Sequence, residues 1–346
     1  MSLHSRTVSR ILRAGILPVL LALVLSIIVV SQVTAQTYSL ADARSAFGDG
    51  NYDEAIEMLS TVARDPSSLR EEKRKAFELL GRAYLAIDML EDARAAIQSL
   101  IELPPPTEAL DPDLVPVGLM EIWYDACKEV DCLDDEEPDG NIRTVAVLDF
   151  TNNSPGPDGA DWDAMSLGFA TMLITNLTGG VNLKIVERER IQWILKELEL
   201  QQKSKNMDPA TAVRIGKLIG AQSVILGGFW IIGKDFWLGT RFVNVETSEV
   251  LDANKVEGKW ANMPQLVQDL AVQIAATINT TIDEASIDVT KRTQSADAMF
   301  SYAQGLDFEG QGSYTAAYNK YMQAYEYDSG YSQALVRAEI VKPQMN

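Results

Sequence analysis

The chain has 346 residues, a net charge of −19, and a composition that is 47% hydrophobic and 23% charged. That length accommodates two or three domains, and the balance is ordinary for a globular protein. The acidic excess, with no run of Lys or Arg, excludes nucleic acid as a partner, because phosphate binding needs a basic patch.

Residues 1–35 hold three arginines, Arg6, Arg10 and Arg13, and no acid. They read as a targeting segment: a positive start, an apolar run from Ala14 to Val30, and a small-residue cleavage site at Val33-Thr34-Ala35. An uncleaved anchor is the alternative, since the apolar run is nearly long enough to span a bilayer; Pro18 and Ala35 favour cleavage. Either way the rest of the chain is expected outside the cytoplasm, in the periplasm and associated with the outer membrane. Membrane contact is expected to be peripheral, or through this segment if it stays attached. No Cys follows it to carry a lipid.

Residues 38–103 read as two helical hairpins. Gly50-Asn51-Tyr52 and Ala55 precede Leu59, Val62 and Pro66 in the first; Leu80-Gly81 and Tyr84 lead to Ala93, Ile97, Leu100 and Pro104 in the second. They resemble tetratricopeptide repeats, in which a small residue lets paired helices approach and Pro ends the second helix. Two repeats are fewer than a free-standing array needs, so they are expected to pack on something else. A break follows at Pro104–Pro106, then one helix from Leu114 to Cys127, then an acidic spacer from Asp131 to Gly140. A solvated spacer is favoured there over a calcium loop, because no alternate-position ligand pattern ends in Glu. Cys127 and Cys132 are the only two cysteines. Export permits a disulfide between them, with two free thiols as the alternative; without His they fall short of a zinc site.

Thr144 to Phe150 is apolar on both faces, as a strand buried on both sides of a sheet must be. The loop from Asn152 through Pro155-Gly156-Pro157 cannot continue it. A helix is expected from about Asp161, with Gly179-Gly180 as its stop, then a strand from Val181 to Val186. The next helix carries Ile191, Ile194, Leu195 and Leu198 on one face to about Gln202. This alternation implies a right-handed parallel crossover. Asp208-Pro209 starts another helix. Strands follow at 223–232, 236–245 and 250–257, with a three-residue turn at Gly233-Lys234-Asp235, and Gly227-Gly228 mark a bulge or a close backbone approach. A helix over 264–278 closes the domain.

Residues 295–340 return to the hairpin pattern and hold seven of the eleven tyrosines. Tyr314, Tyr318, Tyr321 and Tyr325 recur at helical spacing. Such a stripe belongs to a core or, because Tyr is favoured at interfaces, to a docking groove. Tyr52 and Tyr84 join them as protein-contact candidates. So do Arg188 and Arg190, which read as a solvated helix start or a contact between subunits of a ring.

Several motifs together resemble the CsgG-like family of curli production assembly/transport components. They are Thr144–Phe150 with Asn152-Asn153, Val186-Glu187-Arg188, Ile215–Ala221, Leu226-Gly227-Gly228, and Phe242–Val245 with Thr247 and Glu249. The match covers about residues 142–280. The same unit is similar to the N-terminal domain of the Tol translocation propeller protein and to lipoprotein activators of penicillin-binding proteins. The resemblance implies an α/β fold with a mixed sheet, flanked here by tetratricopeptide-like hairpins, in an envelope setting. It also implies a homo-oligomeric ring and partners among envelope or secretion proteins, an outer-membrane channel included. The chain departs from the curli pore in lacking the lipid-bearing Cys, and its hairpin sites are short. No segment alternates as membrane-barrel strands do.

The domain reading is 1–35 targeting segment, 36–108 tetratricopeptide-like hairpins, 109–141 linker with a helix and the acidic spacer, 142–288 α/β domain and 295–346 C-terminal hairpin. The single His is His4, so His-based triads, common zinc-hydrolase sites and His-assisted phosphoryl transfer are excluded from a cleaved chain. No phosphate loop, dinucleotide fingerprint or nucleophile elbow is present. No catalytic residue, metal or cofactor is expected. The small-ligand candidates are Asp149, Asn152, Asn153 and Ser154, since open α/β sheets bind ligands beyond the carboxyl ends of their strands; the competing reading is that these groups satisfy the loop itself. The expected function is a non-enzymatic scaffold or adaptor in envelope assembly or secretion. The alternative is a soluble receptor for a small envelope ligand at the loop after Phe150.

Overall fold

The computed structural model describes residues 38–104, 110–130, 132, 143–197 and 208–345. The targeting segment, nearly all of the acidic stretch Asp131–Gly140 and the end of the helix expected to reach Gln202 lie outside the described residues.

Five helices come first: α1 (Leu40–Gly48), α2 (Tyr52–Arg64), α3 (Arg70–Ala86), α4 (Leu90–Ile101) and α5 (Val117–Val130). A capping box between Ser39 and Asp42 starts α1, satisfying backbone donors that the first turn leaves open. Gly50, at φ +78°, reverses the chain into α2. Each helix packs on the next, and Ala43, Ala55, Ala76, Ala83 and Ala93 are all fully buried where they meet. Within the expected linker, the helix expected at Leu114–Cys127 is α5. Leu119, Met120, Trp123 and Cys127 of α5 share one apolar cluster with Ile97 and Leu100 of α4.

The sheet runs in the order β3 (Leu183–Ile185), β1 (Arg143–Val147), β4 (Ser223–Ile232), β5 (Asp235–Asn244), β6 (Val250–Lys259). β1 is parallel to both β3 and β4, as the crossover implies. β4, β5 and β6 form the antiparallel meander. The first strand stops at Val147; after a break, β2 (Thr151–Asn152) rejoins β4 lower down. The turn between β4 and β5 is two residues, not three, with Gly233 at φ +63°, a conformation Gly adopts without penalty. No bulge occurs at Gly227-Gly228; the register of β4 on β5 is continuous, and the irregularity falls at Phe242/Val243 against β6. Of the two readings, close approach is the one the structure shows: a Cβ on Gly227 would lie 2.1 Å from the Phe150 ring.

Helices α6 (Met165–Leu177) and α9 (Met263–Thr277) lie on one face of the sheet, α7 (Arg188–Glu197) and α8 (Pro209–Leu218) on the other. Asp208 caps α8, its carboxylate accepting from the Thr211 amide at 3.0 Å. The C-terminal helices α10 (Ala296–Gly310), α11 (Tyr314–Tyr327) and α12 (Ser332–Val341) are not set apart. Met299, Tyr302, Leu306 and Tyr321 belong to the same apolar cluster as Phe150, Phe169 and Phe229 of the α/β unit. Gly305 lets α11 come close, since a Cβ there would meet the Tyr321 ring at 2.5 Å.

Candidate functional site

The polar loop after β1 is largely spent on itself. Asn152 Nδ2 donates to the Gly159 carbonyl and to Asp163 Oδ1, each at 2.8 Å, while its Oδ1 accepts from the Ser154 amide at 2.9 Å. Ser154 Oγ accepts the Ile231 amide at 3.0 Å, replacing a strand partner where β2 ends. Asn152 and Ser154 therefore hold the loop to β4 and to the short 3₁₀ turn at Pro157–Trp162. Their polar atoms have partners within the fold, as buried or strained loops require.

Asp149 and Asn153 are placed differently. Asp149, partly buried in the break between β1 and β2, accepts from Gln192 Nε2 of α7 at 2.9 Å. Burial pushes its carboxyl above the usual range, and the Arg188 charge and the Gln192 bond pull it only part of the way back. Asn153 is exposed. Both line an open groove of about 710 Å³ on the sheet face, which Gly228, Trp230, Arg241 and Lys255 also line. Those last four were not among the sequence candidates. The Gly227-Gly228 pair was the one available signal, and it points at backbone rather than at a side chain.

A second polar centre joins the two ends of the chain. Arg337 of α12 grips Glu309 of α10 with two bonds, Nε to Oε2 at 2.9 Å and Nη2 to Oε1 at 2.7 Å. Both residues are 3% exposed. Tyr321 donates its hydroxyl to Glu309 at 2.7 Å, and Arg337 Nη1 reaches the carbonyls of Pro112 at 2.7 Å and Val115 at 3.1 Å. Burial alone would lower the Arg337 pKa, but Glu309 outweighs it and the guanidinium is held well above its ordinary value. A buried pair this fully bonded satisfies both charges. It fastens the C-terminal helices to the segment entering α5. Lys291 pairs with Asp113 beside it, and Tyr52 donates to the Pro343 carbonyl at 3.0 Å.

The tyrosine candidates separate accordingly. Tyr321 is fully buried and presents nothing to a partner; its hydroxyl belongs to the clamp. Tyr318 and Tyr325 pack half-buried on the core of the α/β unit, and Tyr84 on that of the first helices. Tyr52 and Tyr314, far apart in sequence, line one groove of about 1010 Å³ between the N-terminal and C-terminal helices, with Asp88, Asn319 and Met345.

The Arg188 side chain is 11% exposed and pairs with Glu189 at 3.0 Å. It is not the solvated helix start that its sequence setting suggests, because Asp149 and Glu189 supply it with countercharge inside; together they keep its pKa raised against the effect of burial. Arg190 is partly buried. Next to them, α7 docks on α5: Tyr124 donates to Glu187 at 2.9 Å and Trp193 Nε1 to Asp125 at 2.8 Å. Cys127 and Cys132 are joined by a disulfide at the end of α5. Among the described residues no group of three or more His, Cys, Asp or Glu is placed to hold a metal ion, and no helix is long and apolar enough to cross a membrane.

The family described as curli production assembly/transport component CsgG matches residues 127–232. Among solved structures, the C-terminal domain of LpoB from Salmonella enterica is similar to 36% of this chain and 88% of its own, at 16% identity and a TM-score of 0.25. No curated protein matches. The matched span runs from the end of α5 through the crossover to the last residue of β4, so the centre of the chain is a CsgG-like domain.

Proposed function

We propose that the protein is a non-enzymatic scaffold or adaptor of the cell envelope, acting in assembly or transport through protein contacts. The helical regions make those contacts, and the CsgG-like domain holds them in fixed relation. One observation carries the reading: the C-terminal helices, clamped through Glu309–Arg337 to the segment entering α5, also meet the first helices at Tyr52–Pro343 and border a groove containing Tyr52 and Tyr314. Tyr offers a large amphipathic surface at low entropic cost, which suits a protein interface. The assembly/transport description of the matching family supports the setting, as do the targeting pattern of residues 1–35 and a disulfide, which persists outside reducing compartments. The tetratricopeptide kinship of the helices and a ring of subunits belong to the same proposal.

The test is co-purification from native cells of the tagged protein and of Asn319→Arg, which puts a long charged side chain into the groove. A stoichiometric exported protein should accompany the first and be lost from the second. No stoichiometric companion, or one that Asn319→Arg retains, would remove the groove from the account.

A further inference from the structure

Helices α7 and α8 cover only part of their face of the sheet. Leu226 is 5% exposed beneath them, but Trp230 and Ile232, further along β4, are 44% and 52% exposed. Strand alternation puts Leu226, Gly228 and Trp230 on this face, and the register places Arg241, Gly239 and Trp237 directly opposite them on β5. Lys255 of β6 stands beside Gly239. Two glycines thus face each other across neighbouring strands; Asn153 Nδ2 comes within 3.0 Å of where a Cβ on Gly228 would stand, and the backbone at Gly239 is open.

Crowding does not account for Gly239. A Cβ there would find nothing nearer than the Asn254 carbonyl oxygen at 3.8 Å, and its φ is not in the left-handed region. Strands disfavour Gly unless something approaches the backbone closely. What Gly239 leaves open beside Asn153 is a slot. Trp230 walls one end and Arg241 the other, with Lys255 and Asn153 at the sides, in a groove of about 710 Å³. That volume is within the range of small-ligand sites.

The walls specify a ligand chemistry. Arg241 is exposed and has no ion-pair partner among the described residues. Lys255 pairs with Glu257 at 3.1 Å, but the two side chains are 73% and 57% exposed, so solvent leaves that pair little hold. Asp149 and Asp208 line the same groove, but their carboxylates accept from Gln192 and from Thr211, which leaves Arg241 and Lys255 as the cations available to a ligand there. The indole of Trp230 offers a flat apolar face beside them.

We propose that this slot binds a small ring-bearing carboxylate. The ring lies on Trp230 above the open backbone at Gly239, the carboxylate lies between Arg241 and Lys255, and ring substituents face Asn153. Sugar acids and aromatic acids share this chemistry. The site is independent of the helical groove and of the scaffold reading.

Titration calorimetry of the purified protein with D-glucuronate and with phenylacetate tests it, with acetate and glucose as controls. At least one ring acid should bind about tenfold more tightly than either control, since ring and charge each contribute. Glucuronate alone would identify a sugar-acid site, phenylacetate alone an aromatic-acid site. Arg241→Gln should weaken binding about tenfold, and Trp230→Ala should weaken it too. Gly239→Leu should fill the slot and abolish binding with the circular dichroism and melting curve unchanged. Three outcomes would overturn the proposal: acetate binding as tightly as the ring acids, no saturation with either ring acid up to roughly 10 mM, or full binding retained by a folded Gly239→Leu.

Discussion

Phe150 sits at 0% exposure with its ring laid over the backbone of Gly227. The ring also meets Phe169, whose own neighbours are Phe229 and Phe236, so it has nowhere to go. Gly227→Ala should therefore cost about 1–3 kcal/mol as overpacking, read as a lower urea midpoint at unchanged slope. The Glu309–Arg337 pair is the other residue-level commitment. Arg337→Met leaves a buried carboxylate with the Tyr321 hydroxyl and the Val117 amide as its remaining donors and should cost about 3–5 kcal/mol. Glu309→Met with Arg337→Met should recover much of that, because no charge is then stranded. A double variant as unstable as the single would show that shape rather than charge sets the cost.

Asp149 makes a pH prediction at the same scale. Burial raises its folded pKa above the unfolded value near 4, so between the two the folded state holds a proton that the unfolded state has lost. Its contribution to stability is complete below about pH 4 and is lost as pH rises through the raised folded value. Asp149→Asn cannot titrate, so the melting temperature of the native protein should fall more steeply than that of the variant as pH climbs through this window. Parallel curves would contradict the assignment.

At the level of elements, the strands and helices were legible where side-chain pattern alone decides them. Ser223–Ile232 is a strand over its full expected length, and Asp208-Pro209 caps a helix as its residue types dictate. The apolar residues Leu148 and Phe150 extend the expected first strand to Phe150. Both are buried, but the ladder breaks at Val147, with Asp149 turned to Gln192; periodicity registers burial and not pairing. The loop residues Asn152 and Ser154 were legible only as polar groups in a turn. Whether such groups face a ligand or the chain depends on Gly159, Asp163 and Ile231, which are distant enough in sequence to leave no local sign. The disulfide belongs to this scale. It closes a loop of sequence separation 5 at the end of α5, and Cys127→Ser with Cys132→Ser should lower stability by about 2 kcal/mol, the small-loop end of the entropic range. The loss should appear as a fall in midpoint, with α5 still packed on α4 and α7.

For the whole molecule, the hairpin patterns at both ends were visible, but their meeting was not. Tyr52 and Pro343 are 291 residues apart and share a hydrogen bond. Arg337 binds carbonyls 225 and 222 residues away. No spacing rule reaches that far. A helix with the stripe Tyr314, Tyr318, Tyr321 and Tyr325 can face a core, a groove or both, and here Tyr321 is buried in the core while Tyr314 lines the groove. The α/β domain contributes the frame: α5 is fixed to α7 through Tyr124 and Trp193, and α10 shares the core of the sheet. Two separately folding helical arms would not keep one groove between them; a common core does.

The measurement that tests this account most directly is in-cell photocrosslinking from Asp88, on the rim of that groove, against Val289, which is 72% exposed and outside it. The account predicts one discrete adduct with another exported protein from Asp88 and none from Val289. No adduct from Asp88 in a folded protein, or the same adducts from both positions, would contradict a scaffold that works through the groove between its two helical ends.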